Sequence, residues 1–203
     1  MSAGAPHEVV HEDWEGRDLS NRRDEGVTFA GVDLTDATGR GAAFSGCAFR
    51  DCRFNGSAHA DAAFLNCTFT RCRFFDTTFT ACKLVGSTFD RCTYELLKVD
   101  GGDWSFVALR GADLRRASFR DVRLREADLS EARCDGARLE GLDLAGAWLH
   151  GASFARADLR GSDLSAVDPA SVTLDGAIVD PQQAIEITTA LGLDVRPRHD
   201  DEG

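Results

Sequence analysis

The chain has 203 residues, enough for one domain with its own core. Its 34 acidic and 23 basic residues give a formal net charge of -11, which argues against direct binding to nucleic acid or to an anionic membrane surface and favours a basic or neutral partner. No stretch approaches the roughly 20 consecutive apolar residues that a membrane span needs. Met1 to Gly26 is polar and acidic without a signal-peptide core, so the expected location is the cytoplasm.

Residues 1–13 read as a polar N-terminal tail, and a repeat then begins. Stepping by five from Trp14 to Val179 visits 34 positions, of which 24 are Leu or Phe. Trp14, Tyr94, Val99, Trp104 and Val179 are also apolar, and only Asp24, Gly39, His59, Cys134 and Pro169 depart from the pattern. Eleven of the 13 Phe residues share this register, which needs no insertion or deletion. Two residues before each large position, from Val27 to Ala177, the residue is small in 29 of 31 cases, Leu97 and Leu142 being the exceptions. The residue between is often Asp, as in Ala112-Asp113-Leu114, Ala127-Asp128-Leu129 and Ala157-Asp158-Leu159. The unit reads small, polar, Leu or Phe, polar, polar.

A helical period of 3.6 and a strict strand period of 2 both fail to generate a fixed repeat of five. A small and a large residue two apart share one side of a short extended segment, and a turn follows. One such segment cannot bury its inner face, but stacked coils bury ladders of like residues.

This motif resembles that of the pentapeptide repeat family, A(D/N)LXX, over residues 14–180. The resemblance implies an all-β fold, a right-handed quadrilateral β-helix, with four pentads and so twenty residues per coil. About eight coils at ~4.8 Å each make a rod about 40 Å long.

A rod of this kind must cap its ends or it will polymerise. Glu12, Arg17 and Arg22 replace small inward residues and Asp24 replaces a large one, a polar cap at the N-terminal end. At the other end Asp180 and Pro181 read as N-cap and first residue of a short C-terminal α-helix that Gly192 closes. Within segment 181–195, Ala184, Ile185, Ile187, Thr188 and Leu191, followed by Leu193 and Val195, exceed what a bare cap requires. Related proteins carry a helix here that packs two monomers tail to tail, which implies a homodimer. The alternative is a cap folded on its own coil. Residues 196–203 read as a disordered tail.

No residues suggest catalysis, a metal or a cofactor. Cys47, Cys52, Cys67, Cys72, Cys82 and Cys92 all hold small inward positions and Cys134 a large one, so they read as reduced core thiols, with Cys52, Cys72 and Cys92 stacked twenty apart. The five His residues are scattered, and inward His59 lies one coil from Gly39, whose missing volume it fills. No phosphate loop, nucleophile elbow or nucleophile and base pair occurs.

The exposed acids are the candidate binding surface. Residues 127–180 carry ten acidic and four basic residues, a net -6 over about 2.7 coils or ~13 Å. Duplex DNA of that length carries about eight phosphate charges. The candidates are Asp103, Asp128, Glu131, Asp143, Asp158, Asp163 and Asp168, with Asp103, Asp143 and Asp163 on one side of the rod and Asp128 and Asp168 on the adjacent side. The plain alternative is solvated faces that aid solubility. Outward Trp148 is a candidate dimer-interface residue, or else is partly covered by the C-terminal helix. The stretch Glu95 to Leu109 is the least regular, with Leu97 and Gly102 inward and Phe106 outward.

The uninterrupted pentads and the ending VDPQQAIEITTALGL look like the MfpA-type branch of the family, and less like the Qnr-type proteins, whose rods are interrupted by loops. That resemblance implies DNA mimicry, binding to DNA gyrase and protection from quinolone-like topoisomerase poisons. The alternative is a generic pentapeptide repeat scaffold that binds another protein.

Overall fold

The computed structural model describes residues 8–196. Strand pairing is parallel and offset by twenty residues throughout: Phe29 lies opposite Phe49, Phe44 opposite Phe64 and Phe119 opposite Leu139. With a unit of five, that offset makes four pentads per coil and a square cross-section. The chain is therefore an all-β, right-handed pentapeptide repeat solenoid that ends in a short α-helix, Pro181–Ala190.

The four faces differ. A first face, centred on Trp14, Leu34, Phe54, Phe74 and Tyr94, holds no strand, only isolated parallel bridges such as Arg53↔Arg73. The second carries a six-stranded sheet from Thr38–Arg40 to Arg138–Glu140, the third a three-stranded sheet from Arg23–Glu25 to Ala63–Leu65, and the fourth a five-stranded sheet from Glu8–Val10 to Thr88–Asp90. Each strand is three residues long because the pentad permits no more. Its two outer residues point to solvent, its central residue points in, and a turn follows. At most turns the second residue after the large one adopts a left-handed φ, including Leu96 and Phe106 at φ 59. These are unusual values for bulky side chains, and they fall within the stretch the sequence marks as irregular. Gly102 obeys a stricter demand: at φ 99, an added Cβ would lie 2.1 Å from the Cys82 carbonyl oxygen.

In-register stacking turns the repeat into columns. Phe44 and Phe64 stack at 4.9 Å, Phe49 and Phe69 at 4.9 Å, and Phe69 and Phe89 at 4.7 Å. All five rings are buried, each worth roughly 1.5–3 kcal/mol in removed apolar surface.

Both ends refine the sequence reading. Residues Glu8–Val10, placed with the N-terminal tail, instead pair with Thr28–Ala30, and Val9 is buried at the large position one pentad before Trp14. The expected polar cap follows. Trp14 donates its indole N–H to Glu12 at 2.7 Å, Arg22 lies over the Trp14 ring at 4.3 Å, and Arg22 pairs with Asp24 at 2.5 Å. At the C-terminal end Asp180 and Gln183 form a reciprocal capping box. Leu191 caps the helix and Gly192 follows at φ 84. The tail expected over 196–203 lies, apart from Arg196, outside the described residues. Among the described residues no helix is long and apolar enough to cross a membrane.

The inter-coil ladder fails at one place on the first face. Phe74 N–H bonds the Thr93 carbonyl at 2.9 Å, and Asp76 N–H bonds that of Glu95 at 2.9 Å. One coil later, Tyr94 and Leu96 have no such partner, and Asp113 N–H does not reach Cys92 as Thr93 N–H reaches Cys72 at 3.1 Å. The Thr93 to Asp113 bridge is missing from an otherwise continuous series. The split falls where this column changes from Phe54, Phe74 and Tyr94 to Leu114.

His59 is buried and stacks on Phe79 at 5.3 Å beneath Gly39, as the pattern requires. Its Nε2 meets the Ser57 hydroxyl at 3.2 Å, and burial pushes its pKa down to about 4. The neutral ring is favoured in the fold, so its contribution is complete above the unfolded value near 6.5 and is lost as pH falls toward 4. His59→Leu should remove about 3 kcal/mol of the acid-dependent loss between those pH values, measured as denaturant midpoints of both proteins across pH 4 to 7. Parallel pH profiles would contradict this.

Candidate protein-binding surface

An Asp that precedes the large residue has a backbone task before any other. Its Oδ1 accepts the N–H of the residue two further on, which the turn leaves without a carbonyl. Asp33 does this to Thr35 at 3.0 Å, Asp128 to Ser130 at 2.9 Å and Asp163 to Ser165 at 2.9 Å. This Asx turn explains the polar position of the unit. Sequence periodicity found the Asp residues without showing this role.

The seven candidate acids lie on three faces. Asp103, Asp143 and Asp163 line the third face in one column, with Arg123 between the first two. Asp128 and Asp168 lie on the fourth face, Asp158 on the second, and Glu131 on the corner after the fourth. Four of the seven are paired: Asp103 with Arg123 at 3.0 Å, Asp143 with Arg125 at 2.5 Å, Asp158 with Arg160 at 2.7 Å and Glu131 with Arg110 at 2.6 Å. Arg160 holds the Asp158 carboxyl down at about 2. Burial raises Asp103, but hydrogen bonds from Ser105 and Arg123 outweigh it and leave its pKa lowered. Bonds from Ser165 lower Asp163. Among the described residues, Asp128, Asp163 and Asp168 have no cation within ion-pair distance, so the bare negative charge is narrower than the count of acids suggests.

Trp148 stands on the fourth face, bridged to Asp128 and 68% exposed, so the C-terminal helix does not cover it. The remaining candidate dimer residues sit at the rod's end. Ile185, Leu191 and Leu193 are exposed at 43%, 57% and 58%, Ala184 is exposed, and Ile187 and Thr188 are half-buried. Beneath them Val172, Leu174, Ala177 and Val179 remain half-buried, so the last coil is incompletely sealed.

The residue that fastens the helix is Gln183, which apolar pattern reasoning passed over. Its side-chain amide donates to the carbonyls of Leu159 at 2.7 Å and Ser162 at 2.8 Å, while its carbonyl accepts Asp180 N–H at 2.8 Å. Among the described residues no cluster of three or more His, Cys, Asp or Glu could hold a metal ion.

Family comparisons agree with this geometry. The description "Pentapeptide repeat region" matches residues 42–119, and "Pentapeptide repeats (8 copies)" matches 25–56, 108–141 and 137–168. Together they run without a gap from 25 to 168, and the chain belongs to the pentapeptide repeat family. No curated protein sequence matches it. Among solved structures, a trypsin-treated variant of QnrB1, a plasmid-mediated fluoroquinolone resistance protein, is 21% identical with a TM-score of 0.60, covering 94% of this chain and 98% of that one. Full-length QnrB1 is 21% identical at TM-score 0.58, with 93% and 98% covered. HetL, a protein involved in the regulation of heterocyst differentiation from the cyanobacterium Nostoc, is 19% identical at TM-score 0.42, with 85% and 89% covered. For QnrB1, at 21% identity, the likeness is one of fold.

Replacing Gln183 by Ala should strand the buried carbonyls of Leu159 and Ser162 and cost about 1–3 kcal/mol of local stability. The readout is faster hydrogen exchange across Pro181–Ala190 with unchanged exchange in the Phe-rich coils. Equal protection in both proteins would show that the helix is held by something else.

Proposed function

We propose that this chain is a DNA-mimicking pentapeptide repeat rod that binds DNA gyrase and modulates it or protects it from quinolone-like poisons, acting as a homodimer joined at its C-terminal end. The observation that carries this reading is the net -6 of residues 127–180, with uncompensated Asp128, Asp163 and Asp168 on two adjoining faces. A DNA-holding protein channel is basic, and a rigid rod of similar charge density complements it. The fold shared with QnrB1, a fluoroquinolone resistance protein, is in keeping with it.

A second reading, a scaffold for another protein partner, has an observation of its own. Four of the seven candidate acids are neutralised by Arg, while Trp148 offers a large exposed ring between Asp128 and the Asp168 coil. An exposed Trp ringed by polar groups suits a hot spot better than an electrostatic imitation does.

Purified protein should inhibit gyrase supercoiling, or reduce fluoroquinolone-induced cleavage, at micromolar concentration, with the effect fading as salt rises. No effect in either assay would remove gyrase as the partner. Because the Asx turns need an Oδ1 acceptor, the charge test is Asp to Asn at 128, 163 and 168, which keeps the fold. The triple variant should bind about tenfold more weakly at low salt. Unchanged binding would reject DNA imitation on those faces.

The dimer rests on the unsealed end: Ile185, Leu191, Leu193 and Val195 are exposed above a half-covered last coil. Sedimentation should find a dimer that Leu191→Asp with Leu193→Asp converts to a folded monomer. A wild-type monomer at tens of micromolar would refute it.

A further inference from the structure

Seven free thiols are present, and six of them are buried. Cys92 is the exception, and the split in the first face is the reason. The lost ladder leaves a cleft of about 270 Å³ with Cys92, Tyr94 and Glu95 on one lip and Asp113, Arg115 and Arg116 on the other. The rim is close to neutral, since Arg115 pairs with Asp113 at 2.6 Å and Arg116 with Glu95 at 3.5 Å. What the cleft provides is access.

Behind Cys92 stand Cys72 and then Cys52, one coil apart. The Cys72 and Cys92 pair is bracketed by in-register partners, Thr70↔Asp90 on one side and Arg73↔Thr93 on the other. Their Cα atoms are therefore at the inter-strand spacing of ~4.8 Å, within the roughly 4.4–6.8 Å that a disulfide tolerates. Both thiols use the same local geometry: Cys92 Sγ donates to the Phe69 carbonyl at 3.4 Å, and Cys72 Sγ to the Phe49 carbonyl at 3.4 Å. The two sulfurs thus stack in one column. The neighbouring Cys72 thiol lowers the Cys92 thiol from its ordinary value, with burial opposing it.

We propose that Cys92 is a site of oxidation by hydroperoxides, with Cys72 as its resolving thiol, so that the column closes into a Cys72–Cys92 disulfide. The Cys92 thiolate attacks the terminal peroxide oxygen. An S–O bond forms as the O–O bond breaks, and the departing alkoxide or hydroxide takes up a proton. The Cys72 sulfur then attacks the sulfenic sulfur of Cys92. Its S–O bond breaks, the S–S bond forms, and the released hydroxide leaves as water with the proton from Cys72. Two thiols lose two electrons to one hydroperoxide, giving one disulfide, one water and one alcohol or second water.

The rod contains its own control. Cys47 and Cys67 stack twenty residues apart in the same manner, each donating to carbonyls at 3.5–3.6 Å, but both thiols are buried, at 1% exposure each. Folded full-length protein is exposed to hydrogen peroxide, its remaining thiols are blocked under denaturing conditions, and the unreduced digest is mapped by mass spectrometry. A Cys72–Cys92 peptide pair should form at least about tenfold faster than any Cys47–Cys67 pair. Cys72→Ala should accumulate a dimedone-trapped sulfenic acid at Cys92, and Cys92→Ala should leave Cys72 reduced. Ala fills this inward position one coil later, at Ala112, and circular dichroism is the check that both variants keep the wild-type fold. The proposal is overturned if both cysteine pairs form at equal rates, because access would then come through unfolding. Cys72→Ala without dimedone label at Cys92 would overturn it equally.

Discussion

Each coil's N–H groups point along the rod axis at carbonyls of the neighbouring coil, and the structure follows from keeping that ladder in register. A parallel ladder offset by twenty residues places every side chain directly above its counterpart four pentads earlier. Sequence requirements therefore become column requirements. Phe can stand on Phe at 4.7–4.9 Å because the rings stack at strand spacing. The same rule places thiol on thiol, and Asp near Arg on the outer faces, where Arg53 reaches back to Asp33 at 2.9 Å. A slip of one residue would turn the whole inner column to solvent, which explains why the register runs unbroken over so much of the chain.

That constraint also limits what the outer surface can encode. The Asp before each large residue supplies the acceptor that the turn's N–H needs, so its presence is first a matter of folding. Its second oxygen is the one left for a partner, and Arg residues one coil away occupy it at Asp33 and Asp103. Counting acids along the sequence consequently overstates the negative field. The same Asp serves fold and surface, so charge can be removed from this rod most cleanly by amide substitution.

The fold was legible because the five-residue period is its physical cause: Phe64, Phe69, Phe74 and Phe79 all point inward as that period requires. Val9 lay in the same register but without flanking repeats on its N-terminal side, so the start of the rod was placed too late. The candidate surface was legible only as a set of positions. Its faces follow from multiples of twenty, but the pairing of Asp143 with Arg125 depends on side chains reaching diagonally between coils, which no spacing rule states. Gln183 was hidden for a different reason. A polar residue on a short helix reads as solvated, whereas here it is buried because the carbonyls of Leu159 and Ser162 need donors.

Chemistry outside the repeat gathers where the ladder stops. In the middle of the rod, the packing of the first-face column changes from aromatic rings to Leu, inter-coil backbone hydrogen bonds are lost, and a thiol that is sealed elsewhere meets solvent. At the C-terminal end there is no next coil, and Val172, Leu174 and Val179 stay half-covered under a helix that packs Ile187 inward but leaves Ile185 and Leu191 exposed. A solenoid interior satisfies its polar groups and buries its apolar ones through its neighbours alone, so a regular coil has little left to offer a ligand beyond charge. Irregular coils retain unmatched hydrogen-bonding groups or uncovered apolar area, and those are the places from which this rod can be read, joined or modified.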